Sequence, residues 1–126
     1  MENRLNLLCQ GNVIDQDICD GMLQVVIQLE QDWQIPVRNA LGEMAITHMA
    51  NALMRSRRGE HIGSLDNELL MEVRQSDAFS YLRVINASLL AHFDVQLHPC
   101  EEGYLLANLF SLWKAKDQSV IARQQR

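Results

Sequence analysis

The chain has 126 residues, 48% of them hydrophobic and only 6% aromatic, which suits one domain with an aliphatic core. A formal net charge of −5 argues against a nucleic-acid-binding domain, because neutralising phosphates needs a basic face. Three scattered cysteines, Cys9, Cys19 and Cys100, form no Cys-x-x-Cys pair and fit a reduced, cytoplasmic protein rather than a disulfide scaffold.

Two prolines and six glycines favour long helices over a many-turned β fold. Residues 1–14 hold a short apolar patch, Leu5 to Cys9, ending at Gly11, and read as an N-terminal extension. Met1-Glu2-Asn3-Arg4-Leu5 has no long apolar run behind a basic start, so no signal peptide is expected. No stretch reaches the roughly 18 apolar residues of a membrane span.

Asp15 or Asp17 is placed to cap the first helix. In it, Ile18, Met22, Val25, Leu29 and Trp33 recur at the spacing of one helix face. Pro36 prepares a second helix from about Val37 to Arg57, with Gly59 as its stop. Ser64 to Asp66 can cap a short third helix carrying Leu69, Leu70 and Val73. Ser76-Asp77 caps a fourth, in which Ala78, Leu82, Ile85, Leu89 and Phe93 repeat the apolar spacing. Pro99 opens a fifth, with Glu101 and Glu102 in its first turn, where negative charge is favoured. From Tyr104 to Trp113 that helix is apolar almost all round, as expected of a central element. The sum is an all-α, compact five-helix bundle over residues 15–115, followed by a polar tail, 116–126.

One histidine stands out. On an ideal helix His48 lies within roughly 40° of Val37, Leu41, Met44 and Ala52. Arg55, seven residues on, falls within about 20° of the same azimuth and roughly 10 Å along the axis. An imidazole and a guanidinium on a face expected to be buried are costly unless something anionic meets them. Carboxylates would serve, and so would a phosphate on the imidazole itself.

The remaining candidates for chemistry are thinner. His61 sits in a polar loop beside Glu60. His92, His98 and Cys100 have no usual zinc spacing and lack a fourth ligand, so no metal site is expected. No serine stands in a Gly-x-Ser-x-Gly context, and no phosphate-binding glycine loop occurs. Neither catalytic residues nor a cofactor are assigned, and the chain is not expected to be an enzyme. In the cluster Arg55-Ser56-Arg57-Arg58, basic charge complements the end of a helix dipole.

Three stretches together resemble the PRD, the regulation domain of the bacterial phosphotransferase system found in transcriptional antiterminators. Ile46 to Arg55 is similar to the family's histidine helix: His48, a small residue four later, Arg55 seven later, then Gly59. Asp66 to Val73 resembles its short Asn-Pro-Leu-Leu-type helix. Glu101 to Leu109 resembles the motif in which glycine and an aromatic residue precede a second histidine, a position held here by Asn108. Thr47 stands where the family often has aspartate.

The resemblance implies a five-helix fold and a regulatory role. His48 would be the phospho-acceptor, and Arg55 the candidate for pairing with the phosphoryl group. Asn108 would be the degenerate second site. The donor would be the phosphocarrier protein HPr or an enzyme II B component. The usual PRD–PRD interface implies a homodimer. About sixteen residues before the first helix leave no room for a nucleic-acid-binding domain, so a stand-alone PRD acting through protein contacts is expected, without direct nucleic-acid or membrane binding. The alternative is a degenerate PRD, never phosphorylated, that serves as a dimerisation and interaction module.

Overall fold

A computed structural model describes the backbone of residues 1–60 and 67–124, with side chains through residue 115 except Asn67. The described residues form six helices and no strand: α1 (Glu2–Gln10), α2 (Gln16–Gln31), α3 (Ala40–Arg57), α4 (Asn67–Gln75), α5 (Phe79–Leu90) and α6 (Pro99–Gln124). The all-α expectation holds, but the count is six rather than five. The added helix is α1, inside the stretch read as an extension. Leu5 anchors it, only 1% exposed, and α1 packs against α2. Its apolar residues are too few to announce a helix from periodicity alone; the tertiary contact decides.

The central periodicities are realised. Ile18, Met22, Val25 and Leu29 of α2 are at most 1% exposed. Each such side chain contributes about 1.5–3 kcal/mol on burial. Leu82, Ile85 and Leu89 of α5 are buried equally well. Phe93, expected to continue that stripe, lies just past the helix in the connector, with its ring against Gly21 of α2, where a β-carbon would collide with it. Helix α6 packs against α3, α4 and α5, which explains why it is apolar on nearly every side. It continues to Gln124, through most of the segment read as a tail. No helix among the described residues is long and apolar enough to cross a membrane.

The helix that carries His48 begins at Ala40, three residues later than expected. Asn39 is its cap, accepting a hydrogen bond from the Gly42 backbone N–H at 2.8 Å. Val37 is therefore not part of the helix. It is fully buried ahead of it, and its backbone passes so close to Gly42 that any β-carbon there would strike the Val37 carbonyl. The other end stops as expected. Gly59 takes a left-handed φ of +75°, and the Glu60 N–H returns to the Arg55 carbonyl at 2.8 Å. The expected cap of the third helix, Ser64 to Asp66, lies outside the described residues, as does His61.

Candidate functional site

Helix α3 buries Ala45, Ile46, Met49, Ala50, Ala52, Leu53 and Met54. These define a face centred more than 90° around the helix from His48. The imidazole is accordingly exposed, at the rim of the packed face and not in its middle. Met44, one turn earlier, is 48% exposed. The apolar arc of α3 is wider than the core needs, and azimuth alone could not say which edge would be left open.

Arg55 shares that edge but is not free. Its Nε and Nη2 donate to the two carboxylate oxygens of Glu101 at 2.6 and 3.0 Å, a bidentate, charge-assisted pair. Glu101 is fully buried, while the Arg55 side chain keeps 26% of its surface. The hydrogen bond to Glu101 raises the Arg55 pKa above its ordinary value, against the opposing effect of burial. Glu101 does stand in the first turn of α6, as expected, and its carboxylate is also what meets the guanidinium. The other arginines of the cluster are also paired, Arg57 to Asp15 and Asp17 and Arg58 to Glu60.

The geometry nevertheless gathers the three positions singled out in the sequence. His48, Arg55 and Asn108 line one cavity of about 210 Å³ between α3 and α6, closed by Ala52, Glu101, Tyr104 and Leu105. The Asn108 amide reaches inward as well. It also borders a small internal void shared with Asn86, where the Asn108 Nδ2 and the Asn86 Oδ1 are buried without hydrogen-bond partners.

A second recess of about 200 Å³ opens on the other side of His48, lined by Arg4, Ala40, Glu43, Met44 and Thr47. Here Arg4 Nε donates to Thr47 Oγ1 at 2.8 Å, and the Thr47 hydroxyl donates to the Glu43 carbonyl at 2.8 Å. Sequence reasoning missed Arg4. Leu5, Leu8 and Cys9 share one helical face, but so short a run gives no signal that would have placed it. Glu101 gave no local sign of burial, because a glutamate two residues after a proline reads as an ordinary first-turn acid.

The weaker candidates do not converge. His92 Nε2 lies 2.6 Å from Gln28 Oε1, and His98 Nδ1 accepts from the Cys100 backbone N–H at 3.1 Å. Among the described residues, no group of three His, Cys, Asp or Glu side chains could hold a metal ion.

No family model matches the chain, and no solved structure does. Two relatives do. The Escherichia coli (strain K12) protein YhfY, described as uncharacterized, is 57% identical over 120 residues, which is 95% of this chain and all of that one. An uncharacterized protein of Haemophilus influenzae is 30% identical over 99 residues, 79% of each chain. Identity at that level along the whole of a relative means one fold and one core, and the chain belongs to the family of YhfY.

Proposed function

We propose that the protein is a regulatory module of the bacterial sugar phosphotransferase system, switched by phosphorylation of His48. One observation carries the reading. Three positions marked by the resemblance to PRDs, two on α3 and one 53 residues further on in α6, surround one cavity; the helical period aligns His48 with Arg55, but nothing in the sequence spacing requires Asn108 to join them. The exposed imidazole is open to a donor protein.

The chemistry asks little of the domain. A ring nitrogen of His48 attacks the phosphorus of a phosphohistidine on HPr, in line with the bond that breaks. The new N–P bond forms as the old one opens, and its electron pair returns to the donor imidazole. One proton passes through solvent from the other His48 nitrogen to the freed donor ring. The bonds broken and made are alike, so the exchange is close to balanced and the module supplies only position and charge. Nearly two negative charges then stand at the rim of an apolar face. Whatever packs there, a second copy or another regulator, meets a changed surface.

The test is incubation with phosphoenolpyruvate, enzyme I and HPr. The expected product is acid-labile, base-stable phosphate on the protein, absent from His48→Ala. Undiminished label in that variant would overturn the site. No label on either protein would favour a second reading, a non-phosphorylated interaction module, for which Asn108 in place of the second histidine and the commitment of Arg55 to Glu101 both speak.

A further inference from the structure

The sequence nominates Arg55 as the cation for a phosphoryl group on His48, and the geometry points elsewhere. We infer that Arg4, on α1, is the positioning residue that pairs with that group, and that α1 is thereby the element whose docking reports the state of His48. The inference rests on His48 carrying a phosphoryl group.

Arg55 is already committed. Its Nε and Nη2 hold the Glu101 carboxylate, which offsets its charge, and Glu101 has no exposed surface. Turning Arg55 toward His48 would strand a buried anion. Arg4 has no such obligation. It makes no ion pair among the described residues, and its Nε is held by a neutral hydroxyl on an exposed surface. It borders the recess that His48 also borders, and the approximately 200 Å³ there leaves space for a phosphoryl group. Exchange of a Thr47 hydroxyl for a dianionic oxygen is a gain for the guanidinium, since charge-assisted hydrogen bonds are about twice as strong as neutral ones. Thr47 also acquires a purpose: it parks Arg4 one residue from the imidazole. Glu43 also borders the recess, and a negative residue there makes the Arg4 cation the more needed beside a second anion.

The experiment needs no protein donor. Phosphoramidate phosphorylates histidines directly: the ring nitrogen forms the N–P bond, ammonia leaves, and the imidazole proton is released. His48→Ala, treated alike, subtracts modification at the other histidines. Native-state amide exchange across α1 is then compared before and after treatment. Protection of α1 is expected to rise about three- to tenfold in the wild type. The rise should be absent in Arg4→Gln, largely restored in Arg4→Lys, and retained in Thr47→Val, which removes the resting partner but not the cation. An unchanged α1, an equal rise in Arg4→Gln, or a His48 that resists phosphoramidate in the folded protein would overturn the inference. If Arg4 merely pins α1 through Thr47, Thr47→Val will behave as Arg4→Gln does, which also overturns it. Failure of HPr to label the protein, with the phosphoramidate result intact, would count against the proposed function and not against the clamp.

Discussion

Replacing Arg55 by methionine keeps a helix-forming side chain of similar length but leaves Glu101 without its cation. The structure sets the size of the effect. Glu101 is 0% exposed, and it receives two short contacts, 2.6 and 3.0 Å, from one guanidinium. Removing one member of a buried pair costs about 3–5 kcal/mol. The Arg55 side chain keeps 26% of its surface, so water already screens the pair, and the lower end applies: about 3 kcal/mol for Arg55→Met. For a domain of this size that is a fall in Tm of roughly 10 °C.

The partner variant should behave differently. In Glu101→Gln the guanidinium can turn to water and the amide oxygen still accepts a bond, so the expected cost is about 1–2 kcal/mol. Arg55→Met with Glu101→Leu removes both charges and should return to within about 1 kcal/mol of the wild type. Urea unfolding followed by circular dichroism at pH 7 measures all three. A cost for Arg55→Met below about 1 kcal/mol, or one no larger than that of Glu101→Gln, would refute the claim that a buried carboxylate governs this edge of α3.

Two further outcomes are expected. The Arg38 hydrogen bond holds the Glu2 carboxyl at about 2, against 4.5 in the free residue; its contribution to α1 docking should be constant above pH 4.5, decline as the pH falls toward 2, and disappear in Glu2→Gln, as amide exchange in α1 at low salt would read. Loosening that begins above pH 4.5, or that persists unchanged in the variant, would contradict that assignment. At the cavity shared by His48, Arg55 and Asn108, Asn108→His supplies an imidazole; on the proposed function, His48→Ala with Asn108→His should take label from HPr where His48→Ala alone does not, and a folded but unlabelled double variant would show that the cavity itself does not admit the donor.

How far the sequence could be read follows from what kind of force decides each element. The faces of α2 and α5 were legible because burial there follows a simple apolar period, and Ile18, Met22, Leu82 and Ile85 obey it without exception. Helix α1 was not, since nine residues with one anchoring leucine do not stabilise a helix alone. The start of α3 slipped because Asn39 outcompetes Pro36 as a boundary: a side-chain cap satisfies a backbone donor, while proline only tolerates a helix start. The grouping of His48 and Arg55 on one edge was legible from the period. Their exposure was not, because Met44 and Leu41 made that edge look like core. Glu101, 46 residues from Arg55, was beyond any local rule.

The charges around His48 divide into a pair that cannot separate and a cation that can move. Arg55 and Glu101 cancel one another and are tied by burial, so they fix the α3–α6 edge whatever happens at the imidazole. On the opposite side, α1 is held by ties that are individually slight. The Glu2–Arg38 contact is exposed, at 47% and 52% of side-chain surface, and solvent screens pairs of that kind to a small net contribution. Leu5 keeps the helix seated. A phosphoryl group that drew Arg4 to itself would add a contact at least as strong as those ties. It would lower the undocked fraction of α1 several-fold without disturbing the core. Helix α1 packs chiefly against one helix and α6 against three, so α1 is the element such a contact can secure with the least repacking.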